Sequence, residues 1–188
     1  MSDETRGGTT LLPAYYGEFG GQFVPESLLP ALDQLERAFV DALEDEEFMN
    51  EYRGLLRDYL GRPTPLTECR NLPLGGANAR IFLKREDLVH GGAHKTNQVI
   101  GQALRAKRRG KPRIIAEAGG GEPVRARGRA GALLGLECVI YMGKTDMARQ
   151  EPNVYLMRLM GAAVVGVVSG AGTLKESVIA AMRGGSET

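Results

Sequence analysis

The run Ile114-Ile115-Ala116-Glu117-Ala118-Gly119-Gly120-Gly121-Glu122 reads as a short apolar strand, a carboxylate at its end and a glycine loop. A carboxylate in that position sits where open α/β sheets receive their ligands. Downstream, Ala130 to Leu136 is predicted helical, Val139-Ile140-Tyr141-Met142 a strand, Val154 to Met160 a helix, Ala162-Ala163-Val164-Val165 a strand and Thr173 to Met182 a helix. Upstream, Ile81-Phe82-Leu83 is fit for a buried strand, and Gln98 to Arg109 is a helix with Val99, Ala103 and Leu104 on one side. Strands alternating with helices of this length argue for parallel β-α-β units and an α/β fold.

Further toward the N-terminus the rhythm is different. Gly61-Arg62-Pro63-Thr64-Pro65 breaks an amphipathic stretch running from about Phe48 to Leu60. Before it lies a helix with Ser27 as its expected cap, Pro30 in the first turn, and Leu28, Leu32, Leu35, Phe39 and Leu43 at helical spacing. Residues 1–26 read as an irregular arm whose aromatics and glycines pack on a surface. There is no short internal repeat and no low-complexity segment.

The chain has 188 residues, enough for one domain with a core or two small lobes. Apolar residues make up 43% and charged residues 25%, which excludes a disordered, coiled-coil or collagen-like chain. A net charge of +1 gives no global reason for a nucleic-acid or membrane partner. The polar start, Met1-Ser2-Asp3-Glu4-Thr5-Arg6, lacks the apolar core of a signal peptide, and Cys69 and Cys138 are too few for a disulfide scaffold. A cytoplasmic location is the expectation. The 26 glycines cluster, as they do where backbone must come close to something.

Three segments carry chemistry. In Lys84-Arg85-Glu86-Asp87-Leu88-Val89-His90-Gly91-Gly92-Ala93-His94-Lys95-Thr96-Asn97, a glycine turn delivers His94 and Lys95 to a helix start. A lysine there can be desolvated into a free amine for a Schiff base, and the helix N–H groups suit an anion. The plain alternative is a solvated surface lysine. His90 and His94 have no third ligand in view, and the Gly-Gly between them breaks helical spacing, so no metal site is expected. In the second segment Glu117 is either a general acid beside anion-binding loop amides or a solvated side chain at a tight turn. The third holds nine Lys and Arg residues between Arg105 and Arg129. It reads as a solvated face, with nucleic-acid binding as the weaker alternative.

Taken in order, these segments resemble the tryptophan synthase β-subunit family, pyridoxal 5'-phosphate enzymes sharing their fold with cysteine synthase and threonine synthase. The matching strings are Tyr16-Gly17-Glu18-Phe19-Gly20-Gly21-Gln22-Phe23-Val24-Pro25, Gly61-Arg62-Pro63-Thr64-Pro65-Leu66-Thr67, Leu83-Lys84-Arg85-Glu86-Asp87-Leu88 and His90-Gly91-Gly92-Ala93-His94-Lys95-Thr96-Asn97-Gln98. Further on come Ile140-Tyr141-Met142-Gly143, Arg149-Gln150, Asn153-Val154 and Met157-Arg158-Leu159-Met160-Gly161-Ala162.

The resemblance implies an open, mostly parallel sheet with helices on both faces. Residues 1–188 would be the N-terminal half of that fold, with 1–109 carrying the arm, helices and lysine region and 110–188 a mobile α/β subdomain. It implies that Lys95 holds the coenzyme as an aldimine, with His94, Thr96 and Asn97 in the coenzyme site. Glu117 would help L-serine lose its hydroxyl, giving an aminoacrylate to which indole adds to form L-tryptophan. Asp146, Arg149 and Lys175 match positions used in closure and in contact with a partner α subunit, and the family forms β homodimers.

The sequence departs from the family in two ways. It is about half the family's length, and the other half should carry the glycine-rich phosphate loop. A catalytically dead truncated chain that only binds a partner subunit or a separate C-terminal half is therefore the alternative to an enzyme. The second departure is the substrate-carboxylate loop, which here reads Ala118-Gly119-Gly120-Gly121-Glu122-Pro123 and runs on into Arg125, Arg127 and Arg129. Glu122 brings a negative charge where the family binds an anion, and Pro123 lacks a donor N–H. If the following helix is buried, at least one of its arginines must be desolvated. Intact matches on both sides with no change in length suggest a short out-of-frame reading, which resequencing would test.

Overall fold

A computed structural model of the chain describes residues 11–72, 79–92, 94–118, 122–170, 172 and 174–186. They divide into two units, Met1–Glu51 and Tyr52–Thr188.

In the first unit, β1 (Tyr15–Tyr16) and β2 (Phe19–Gly20) form a small antiparallel hairpin. Glu36 accepts a hydrogen bond from the Leu12 N–H at 2.5 Å, tying the arm to α1 (Leu29–Glu44). In the described part of the arm, residues 11–26, Tyr16, Phe19 and Phe23 are exposed rather than packed as expected. A short 3-10 turn, Glu26–Leu28, leads into α1, so the cap of α1 is Leu28 and not Ser27, with no side-chain cap hydrogen bond. Leu35, Phe39 and Leu43 keep their helical spacing as an exposed apolar stripe. The amphipathic stretch after α1 becomes α2 (Glu46–Gly54), which begins in this unit, and a π-helical turn over Leu55–Tyr59, which belongs to the second.

The second unit contains β3 (Leu66–Glu68) and β4 (Phe82–Lys84), paired antiparallel with Leu66 opposite Lys84. The expected buried strand at Ile81-Phe82-Leu83 is therefore corrected: it is one arm of a separate two-stranded ribbon, with Phe82 and Leu83 exposed. Its apolar residues are consecutive, and only a sheet covered on both faces would bury such a run.

Beyond α3 (Lys95–Arg108) the expected alternation holds. β5 (Arg113–Ala118), α4 (Glu122–Leu134), β6 (Glu137–Gly143), α5 (Lys144–Arg149), α6 (Glu151–Leu159), β7 (Ala163–Val167) and α7 (Leu174–Ser186) follow in order. The three strands form a parallel sheet in the order β5-β6-β7, with Ala116 opposite Ile140 and Ile140 opposite Val164. Side chains alternate across it. Ile114, Ala116, Ala118, Cys138, Ile140 and Met142 pack with Val154 and Met157 of α6 and with Ala162. On the opposite face α7 lies against Tyr141: Gly184 has no room for a Cβ beneath the Tyr141 hydroxyl, and its carbonyl accepts from Arg113 at 3.2 Å. The class is α/β, with a parallel sheet and helices on both faces. A second apolar cluster gathers Leu60, Val89 and Ile100 with Tyr52, Leu55, Leu56, Tyr59 and Leu133.

Candidate active site at the head of α3

Gly91 and Gly92 take φ values of 114° and 83°, a backbone that side-chain-bearing residues rarely adopt. This turn ends on His94, which is exposed, and Lys95, which is half-buried and is the first residue of α3. The His94 side chain makes no cap hydrogen bond to the helix, and the Asn97 N–H donates to the His94 carbonyl at 3.1 Å. Thr96 is buried, as are Val99, Ile100, Ala103 and Leu104, which seat the helix in the unit's interior.

Asn97 is held from two directions. Its side-chain oxygen accepts from Arg62 Nε at 2.9 Å and its backbone carbonyl accepts from the Tyr52 hydroxyl at 3.2 Å. Arg62 also forks onto Glu86, with Nη1 to Oε1 at 2.6 Å and Nη2 to Oε2 at 2.5 Å, while Thr64 Oγ1 donates to Glu86 at 3.0 Å. Lys84 Nζ donates to the Thr64 carbonyl. These bonds hold the Glu86 carboxyl down at about 2, chiefly through Arg62 and against an opposing effect of burial. A cleft of about 420 Å³ opens beside Asn97, lined by Leu56, Pro63 and the cations Arg53, Arg57, Arg62 and Lys84. Sequence reasoning missed this network. Apart from Tyr52, its members were visible only in three separate matching strings, and nothing local joins an arginine to an asparagine 35 positions away.

Glu117 lies near the C-terminal end of β5, opposite Tyr141, with its side chain 39% exposed. Arg127 Nη2 stands 3.8 Å from Glu117 Oε1. Two residues on, Arg129 reaches the lysine turn: a Cβ at Gly91 would lie 2.5 Å from Arg129 Nη1 and 3.0 Å from Thr96 Oγ1. One turn of α4 thus touches both the glycine turn before Lys95 and the carboxylate of β5. The helix is half-buried around its arginines, and Nε of the half-buried Arg125 is shut off from solvent, in line with the desolvation expected for a buried helix here. Burial also pushes the Cys138 thiol up to about 11, with Arg127 pulling the other way.

Of the expected carboxylate loop, Ala118 is buried at the end of β5, and Glu122 and Pro123 open α4. Gly119, Gly120 and Gly121 lie outside the described residues. Asp146 is buried in α5 with Arg149 Nη1 at 3.9 Å, and Lys175 is exposed near the start of α7. Among the described residues no group of three or more His, Cys, Asp or Glu side chains comes together, and no helix is long and apolar enough to cross a membrane.

Comparison with known proteins agrees with this architecture. The chain is 64% identical over 173 residues to tryptophan synthase beta chain 2 of Corynebacterium efficiens, an alignment covering 90% of this chain and 39% of that protein. It therefore spans about two fifths of the relative's length. Residues 58–186, which contain the lysine turn, the parallel sheet and all of α7, match the model of the pyridoxal-phosphate dependent enzymes. The chain belongs to the family of pyridoxal-phosphate dependent enzymes.

Proposed function

We propose that the chain carries the coenzyme-anchoring and acid–base part of a tryptophan synthase of β type, acting on L-serine and indole. The observation behind this reading is the 64% identity to a tryptophan synthase beta chain along 90% of the chain. Lys95 lies within it at an uncapped helix start.

The residues at the α3 turn fit pyridoxal 5'-phosphate. Lys95 offers the amine for its aldehyde, the positive end of α3 suits its phosphate, and Gly91 and Gly92 allow backbone to approach closely. When bound, the coenzyme supplies an aldehyde and an electron sink. The chain's own residues supply the rest. Lys95 takes the proton from the substrate α-carbon, His94, Thr96 and Asn97 line the coenzyme site, and Glu117 hands a proton to the departing hydroxyl of serine. The stretch Ala118 to Pro123 stands in the sequence where the family binds the substrate carboxylate. Asp146, Arg149 and Lys175 serve closure and contact with an α subunit, which would deliver indole, and a β homodimer is the expected assembly.

The second reading is a chain that binds a partner without turning over. The α4 arginines favour it, because Arg127 and Arg129 bring charge to both Glu117 and the lysine turn. The two readings separate in one titration with pyridoxal phosphate. A visible absorption band that Lys95→Ala abolishes, together with indole consumption in serine, supports the enzyme. A band without turnover, with co-elution of an α subunit, supports the binding chain.

A further inference from the structure

We infer that Arg62 is a positioning residue for Lys95: its contacts to Glu86 and Asn97 fix the first turn of α3 and thereby the direction in which the Lys95 amine emerges. This rests on the reading of Lys95 given above.

Every guanidinium nitrogen of Arg62 is engaged, Nε by Asn97 and the two terminal nitrogens by the Glu86 carboxylate. The side chain is only 20% exposed, so the fork is poorly screened by solvent. The second anchor is the Tyr52 hydroxyl on the backbone of the same asparagine. Asn97 is thus fixed at side chain and main chain by two separate segments, and it lies two residues beyond Lys95. Two positions on a helix are about 200° apart, so Lys95 leaves the axis on the side roughly opposite the clamp. Any rotation of α3 that loosens Asn97 swings Lys95 through the same angle. At the ~5–6 Å outer radius of a helix, a 20° rotation moves a side chain by about 2 Å. A misplacement of about 1 Å can cost on the order of 10²-fold in reactivity. Lysine cannot replace arginine here, because an ammonium cannot fork onto the carboxylate and reach Asn97 at once.

The test is borohydride trapping of pyridoxal phosphate on Lys95, read by mass, together with visible circular dichroism per bound coenzyme, which reports its orientation. Arg62→Lys should lower the trapped fraction at least about fivefold and change the ellipticity per coenzyme. Ile140→Val, a sheet-core variant that also costs stability, should leave both within about twofold of the parent chain. Combining Arg62→Lys with Glu86→Gln should be no worse than Arg62→Lys alone, since both break one clamp. Should Arg62→Lys not fold, Glu86→Gln keeps one acceptor oxygen and takes its place, with a smaller effect in the same direction. Trapping by Arg62→Lys equal to the parent, or reduced only as far as Ile140→Val reduces it, overturns the inference while leaving the Lys95 reading standing. No trapping in the parent chain overturns the Lys95 reading and this inference with it.

Discussion

The ion pair of the Glu86 carboxyl with the Arg62 guanidinium makes the fold around Lys95 sensitive to acid. Glu86 is held at about 2 in the folded chain against an ordinary 4.5, so the unfolded chain binds the proton more readily. The contribution to stability is complete above pH 4.5 and is lost as the pH falls from there toward 2. Urea midpoints measured across that window should fall more steeply for the parent chain than for Glu86→Gln, and parallel slopes would contradict the assignment. Lys95 and Glu117 were named from the sequence because each lies beside a run of glycines and in a segment where the chain resembles the family, while the residues alone left a solvated side chain open for both. Arg62 was not, because its role depends on a contact with Asn97 that only the folded chain makes.

At the scale of the element, α4 shows where local reasoning succeeds and where it stops. Three arginines at alternate positions predict partial desolvation of a cation on any helix packed against a sheet, and Nε of the half-buried Arg125 is shut off from solvent. Helix propensity alone treats Gly128 and Gly131 alike, each costing about 1 kcal/mol against alanine. Their surroundings separate them. A Cβ at Gly131 would meet Cys138 Cβ at 3.0 Å and the Leu136 carbonyl at 3.1 Å, both carried on backbone with little freedom. A Cβ at Gly128 would meet Met160 Cε at 3.3 Å, the far end of a flexible side chain. Gly131→Ala should therefore lower stability by about 1–2 kcal/mol, while Gly128→Ala should raise it by up to about 1 kcal/mol, both read from urea unfolding. Equal effects of the same sign would refute the packing proposed for α4. The strands were legible through their apolar runs, but the partner of β4 was not. Phe82 and Leu83 look like core in sequence and are exposed in the ribbon with β3.

For the molecule as a whole, the open side of the sheet matters most. β7 pairs only with β6 among the described residues, and Val165 on it is exposed along with nearby Val168. An unprotected edge with apolar side chains is a template for association. Val165→Lys should reduce concentration-dependent light scattering while leaving the far-ultraviolet circular dichroism unchanged, and unaltered scattering would place the association elsewhere. The parallel order was readable from the alternation of strands and helices. What covers this edge was not, because an edge is defined by what lies beside it and not by its own residues.

The central claim is that the amine of Lys95 condenses with the aldehyde of the coenzyme. Peptide mapping after borohydride reduction in the presence of substoichiometric pyridoxal phosphate tests it most directly. The pyridoxyl mass should appear on the peptide containing Lys95 and be absent from Lys95→Ala. Label spread over Lys84, Lys107, Lys111 and Lys144 at comparable levels, and unchanged in Lys95→Ala, would contradict the claim.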